Sequence, residues 1–135
     1  MKNWVIWLCL VMLPSTVLAE AKKEGEQDNK VAYVSLYPPL VGNYNAGEKK
    51  LRYYKADISL RVVGNAAAEQ IKRHDPLVRN QLVMLFAQQS SDVLETLDGK
   101  EQLRREALRQ LQQLLTQETG KPLVDDLLFN NLVVQ

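Results

Sequence analysis

TLDGKEQLRREALRQLQQLLTQETGKP, residues 96–122, reads as one long amphipathic helix with a boundary signal at each end. Thr96 and Asp98 are candidate N-caps, because a short side-chain oxygen there can accept from the first orphan N–H groups. Gly120 is the expected stop and Pro122 forbids continuation. Leu103, Ala107, Leu111, Leu114 and Leu115 recur at spacings of four and three, which places them on one face of a 3.6-residue period, and Leu108 widens that stripe. Glu101 precedes Arg105 by one turn, the favourable order for an ion pair along a helix. Such pairs contribute only about 0.2–0.5 kcal/mol each, so burial of the leucine face has to hold the helix. That face needs a sheet or another helix to lie on.

The rest of the chain supplies both. Residues 31–37 alternate and are rich in β-branched and aromatic side chains, which predicts a strand, ended or placed at an edge by Pro38 and Pro39. Residues 40–44 continue as a second short extended piece, and Asn45-Ala46-Gly47 makes a turn. Residues 51–63 are the clearest strand. Ile58, Leu60 and Val62 point one way and Asp57, Ser59 and Arg61 the other, which predicts a sheet with one buried and one wet face. Residues 66–73 form a short helix. Asp75 as N-cap and Pro76 at the first helical position then open a helix over residues 76–89, with Val78, Leu82, Leu85 and Phe86 on its core face. Ser90-Ser91-Asp92 weakens that helix, and Val93, Leu94 and Leu97 make an apolar link to the long one. Residues 123–135 form a last strand whose end, Leu132-Val133-Val134, is apolar on both sides, implying cover on both faces or a late bulge. Strands and helices are segregated along the chain, so the class is α+β: an antiparallel-rich sheet with three helices packed on it.

With 135 residues the chain is one domain. Residues 1–19 have the layout of a secretory signal: Lys2, an apolar run of about ten residues, Pro14-Ser15, then Val17-Leu18-Ala19 with cleavage before Glu20. Extended through Ala19 the run reaches the lower edge of a membrane span, so an uncleaved signal anchor is the alternative. Both readings put the domain outside the cytoplasm. The cysteine Cys9 lies in this segment. Leu8 before it denies a lipidation motif, and cleavage would leave a mature chain without thiol chemistry. Removing Lys2 from the 17 basic residues leaves 16 against 16 acidic ones, so the mature chain is neutral and nucleic acid is not an expected partner. Residues 20–30 are charge, amide, Gly and Ala and read as a flexible leader. Residues 31–135 are the folded domain.

Several residues carry chemistry that has to be weighed. His74 stands in a loop beside Asp75, an arrangement open to a base and its orienter, but no nucleophile accompanies it and a solvated loop histidine is the plainer reading. Asp125 and Asp126 would point to opposite faces of a strand and cannot converge on an ion without a bulge. The stretch from Gly42 to Gly47 lacks the spacing of a phosphate loop, and Gly99-Lys100 lacks a glycine-rich approach; Gly99 reads as a turn position. Hence the expectations are no enzyme, no cofactor and no metal. Arg104, Arg105 and Arg109 form a basic run suited to an acidic partner or lipid headgroups, interrupted by Glu101 and Glu106, which favours a plain solvated face. Tyr33, Tyr37, Tyr44, Tyr53 and Tyr54 crowd the early strands. Most are expected in the core or in cross-strand pairs, with any exposed one, Tyr37 foremost, a candidate contact with a partner.

Five stretches in order resemble one family. They are Tyr33-Val-Ser-Leu-Tyr-Pro-Pro-Leu-Val-Gly-Asn43, the strand over residues 53–62, Asp75-Pro-Leu-Val-Arg-Asn80, Leu94-Glu-Thr-Leu-Asp-Gly-Lys100, and the ending Asp126-Leu-Leu-Phe129-Asn-Asn-Leu132-Val-Val-Gln135. Together they are similar to the periplasmic domain of the FliL family, flagellar basal-body-associated proteins. The resemblance implies a stomatin-like (SPFH) fold and a non-enzymatic role in motility, chemotaxis and swarming. It implies a homo-oligomeric ring or partial ring beside the stator units of the flagellar basal body, in the periplasm or on the periplasmic side of the inner membrane if the signal is not cleaved. The N-terminus departs from the family's usual cytoplasmic stub and full membrane span. The alternative function is a periplasmic binding or adaptor module unrelated to motility.

Overall fold

The computed structural model describes residues 29–44, 49 and 51–135. The signal segment with its Ala19–Glu20 boundary, most of the leader and the expected turn at Asn45-Ala46-Gly47 lie outside the described residues. The elements run β1 (Val31–Ser35), β2 (Leu40–Tyr44), β3 (Arg52–Val63), α1 (Asn65–Arg73), α2 (Asp75–Ala87), α3 (Ser91–Glu95), α4 (Leu97–Thr119) and β4 (Val124–Val134). All strands pair antiparallel around β3, giving an α+β fold.

The register shows how the sheet is built. β4 pairs with β3 from Tyr54 to Val62, along one edge. β1 pairs with residues 59–63 of β3 and β2 with residues 52–56, so both occupy the other edge, end to end. Tyr37, with the cis peptide to Pro38, and Pro39 interrupt what is otherwise one edge strand, where missing proline N–H groups cost least. The predicted alternation of β3 holds: Tyr54, Ala56, Ile58, Leu60 and Val62 are buried under the helices. Two register shifts leave Asp125 and Asn130 as extra residues in β4. The bulge at Asn130 comes before the apolar end of β4, whose residues 132–134 pair in regular register with Leu132 and Val134 half-buried. Val133 stays exposed, so that end is not covered on both faces.

α4 lies on the sheet through the predicted stripe. Leu103, Ala107, Leu111 and Leu115 are buried, and Leu108 and Leu114 pack at its margin. Thr96, not Asp98, is the N-cap, its Oγ1 accepting from the Gly99 N–H at 3.1 Å. Gly120, at φ 82°, ends the helix in the left-handed conformation that glycine adopts without a Cβ clash. The chain then enters β4 through a γ-turn centred on Leu123 (φ 56°), with Val124 N–H donating to Pro122 O at 2.6 Å. Tyr54 stacks on Phe86 with ring centroids 4.7 Å apart, and Phe86 meets Phe129 edge-on at 5.8 Å, joining β3, α2 and β4.

Four expectations need correction. Among the described residues there are four helical segments instead of three, because residues 91–95, read as a link, wind into α3. Asp75 is the first residue of α2 and its carboxylate caps nothing; His74 holds the cap position without a side-chain cap bond. Gly99 is not a turn position but sits inside the first turn of α4, buried against Val93. Ser59, assigned to the wet face, is 5% exposed: its hydroxyl bonds Ser35 Oγ at 3.0 Å and accepts from Asn130 Nδ2 at 2.7 Å, a polar row across three strands.

Candidate functional site

The basic run of α4 is neutralised in place. Arg104 grips both oxygens of Glu101, from Nε and Nη2 at 2.7 Å each, and reaches β4, donating to Asp126 Oδ1 at 2.6 Å and to Leu127 O at 3.3 Å. Arg105 donates to Glu101 at 2.9 Å and Arg109 holds Glu106 at 2.6 and 2.9 Å. Hydrogen bonds from Arg104 and then Arg105 hold the Glu101 carboxyl down at about 2. Bonds from Arg109 and then Gln110 hold Glu106 there too. The Glu101 bonds push the Arg104 guanidinium above its ordinary value despite partial desolvation. Arg104 is thus a structural clasp between helix and sheet. Arg105, 74% exposed, and Arg109, 61% exposed, remain at the surface, but as halves of ion pairs. An anionic partner would have to displace Glu101 or Glu106 to use them.

The tyrosines divide by strand parity. Tyr44 and Tyr54 face the helices and are buried, and burial pushes the Tyr54 phenol up. Tyr33 and Tyr53 face away and are exposed, and Tyr37 projects from the interruption between β1 and β2 at 86% exposure. Tyr33 and Tyr53 have the outward parity of the central strand and sit in cross-strand register with Arg61 and Asn43, so of the five tyrosines expected in the core or in cross-strand pairs it is Tyr37 that stands outside both. Around Tyr53 the outward face holds a shallow cleft of about 260 Å³ lined by Val41, Lys55, Asn131 and Val133. Sequence reading missed this surface. The signal for it was present: Tyr53 and Val63 share the parity of Asp57 and Arg61, so the face labelled wet carries large apolar groups at both ends.

No arrangement for bond-making is found among the described residues. His74 is half-buried with Nδ1 2.8 Å from Gln70 O at the end of α1, which is a structural position. The two aspartates diverge, Asp125 accepting from Arg61 at 2.7 Å and Asp126 from Arg104. No three of His, Cys, Asp and Glu come together among the described residues. A larger open cleft of about 620 Å³, beside the start of α1, is lined by Val63, Ala67, Gln70, Lys121 and Asp125 among others. Its one hydroxyl, Thr119 Oγ1, donates to Leu115 O at 2.7 Å and is not a free nucleophile. Among the described residues no helix is long and apolar enough to cross a membrane.

The family model described as "Flagellar basal body-associated protein FliL" matches residues 33–135, from the outward tyrosine of β1 to Gln135, one residue past β4. The chain belongs to the FliL family. A relative, "Flagellar protein FliL" of Aquifex aeolicus (strain VF5), is 26% identical over 100 residues, covering 74% of this chain and 59% of that protein. The chain thus aligns with about three-fifths of the relative's length. The stretches that carry the FliL resemblance serve the fold: Thr96 caps α4, Gly99 permits close approach of α3, and Phe129 closes the aromatic row.

Proposed function

We propose that this FliL-family, flagellar basal-body-associated chain is a non-enzymatic accessory of the flagellar motor. It works in the periplasm, or anchored to the inner membrane and facing the periplasm, where it self-associates beside the stator units and supports swimming, chemotaxis and swarming. Residues 1–19 act as a signal peptide or signal anchor, residues 20–30 as the leader, and residues 31–135 as the docking domain, a stomatin-like scaffold. Membership of the family over residues 33–135 carries this reading. The surface supports it: reactive side chains are dispersed, while exposed aromatics gather on the sheet.

The test is motility under load. A strain lacking this protein is expected to swim slowly in viscous medium and to swarm poorly, with both restored by the wild-type chain. Unchanged swimming and swarming would contradict the motor role and favour an adaptor unrelated to motility. The mass of the protein's N-terminus, taken from periplasmic and membrane fractions, separates the cleaved form beginning at Glu20 from the anchored one.

A further inference from the structure

The chain enters the fold at the lip of the open cleft beside α1. The described residues begin at Asn29, and Lys30 O accepts from Gly64 N–H at 2.8 Å. Gly64 lines the cleft of about 620 Å³, together with Val63 and Ala66 and, from the link between α4 and β4, Lys121 and Leu123. β1 and β4 flank β3 here, with Val31 opposite Val63 and Val124 opposite Val62. At ~4.8 Å per strand spacing, the start of β4 lies ~10 Å from the entering chain, a span that about five extended residues at ~3.3 Å each can cross. Two charged residues line the cleft, Lys121 and Asp125. Asp125 is paired with Arg61 at 2.7 Å, whereas Lys121 is exposed and has no ion-pair partner among the described residues. The first turn of α1 carries no acidic side chain, so its positive end is not offset from within that turn. The cleft therefore presents a positive field. Just ahead of the entry point, residues 24–28 read Glu-Gly-Glu-Gln-Asp, with three acids and no base.

We propose that residues 24–28 of the leader seat in this cleft of their own chain, with their carboxylates toward Lys121 and the start of α1. The inference goes beyond the motor role and holds with or without it. Reach, charge and tethering all favour this occupant. The segment joins the fold one strand spacing from Gly64, so it needs no linker to arrive. Its sign is opposite to that of the cleft. A covalent tether this short keeps the segment at an effective concentration on the order of millimolar, so weak contacts suffice to hold it. Seating also covers Val63, which is 42% exposed without it. Residues 20–23, with Lys22 and Lys23, then remain beyond the cleft, and their full reach is ~14 Å. In the anchored form this holds the α1 end of the domain within that distance of the membrane. In the cleaved form the same residues are a short basic arm.

The experiment is limited proteolysis of the full chain by a glutamate-specific protease, with the cuts after Glu24 and Glu26 followed by mass spectrometry. Both N-terminal forms of the chain contain these sites. A synthetic peptide of residues 20–30 gives the unhindered rate. The wild type is expected to be cut at the two sites about tenfold or more slowly than the peptide, at a rate independent of chain concentration. Lys121→Glu reverses the attracting charge, and Ala66→Trp fills the cleft from an exposed position. Each should bring cutting to within about threefold of the peptide, with the melting temperature showing an intact fold. A wild type cut as fast as the peptide, or two folded variants as resistant as the wild type, would overturn the inference. Resistance that grows with chain concentration would also overturn it, by placing the leader on a neighbouring copy. The motor role is decided separately, by the deletion strain.

Discussion

Arg104 on α4 donates to Asp126 on β4 at 2.6 Å while its other two nitrogens hold Glu101, so one guanidinium fastens the long helix to the last strand. Replacing it by alanine should cost about 1–2 kcal/mol in urea denaturation, because a charge-assisted network spanning two elements is lost at a half-open site. Arg104→Lys should recover only part of this, since an ammonium cannot form the two-pronged contact with Glu101. Arg105→Ala should stay within about 0.5 kcal/mol, the usual range of an exposed pair. Equal costs at the two positions would contradict the clasp.

The carboxyls of Glu101 and Glu106, held at about 2, give a pH dependence of known sign. A carboxyl whose folded value lies below its unfolded one of about 4.3 contributes stability that is present above that value. The contribution fades as pH falls through about 2. Both residues sit at the surface, so the effect should be small and should shrink further in salt. Carboxyl carbon shifts followed by NMR are expected to titrate near 2 for these two side chains; midpoints near the ordinary value of about 4.3 would show that the pairs do not persist in solution.

Two glycines in α4 and at its end should respond differently to alanine. A Cβ at Gly99 would lie 2.4 Å from Val93 O and 2.6 Å from Val93 Cα, backbone atoms that cannot swing away. Gly99→Ala should therefore force α3 off α4 and cost about 2 kcal/mol or more. At Gly120 a Cβ meets nothing within 4 Å, but φ is +82°. Gly120→Ala should cost about 1 kcal/mol through backbone strain alone. Thermal denaturation of both variants checks the order.

The α+β class was legible because two patterns are strong and local: the leucine period of residues 103–115 and the alternation of residues 54–62. The helix ends at Thr96 and Gly120 followed from the same local chemistry, whereas the placing of β3 between all the others did not, since it depends on pairings between distant residues. What escaped depended on distant residues or on very short elements. Five residues of α3 are too few to show a period, and their Ser-rich start reads as a break. Ser59 is hidden by Ser35 and Asn130, which lie 24 and 71 residues away in sequence. Asp126 stands 22 residues from Arg104, so a reading of helical neighbours finds Glu101 and misses the tie to the sheet. The same limit turned three candidate contact arginines into one clasp and two paired surface groups. The exposed apolar surface around Tyr53 emerges only when β2, β3 and β4 are laid side by side.

The central claim is that the leucine face of α4 is sealed against the sheet. Leu111, fully buried at the middle of that face, tests it most directly. Leu111→Ala should cost about 2–5 kcal/mol through the cavity left behind, and Leu111→Asp should abolish cooperative melting by placing an unpaired charge there. A melting temperature for Leu111→Asp equal to that of the wild type would contradict the account.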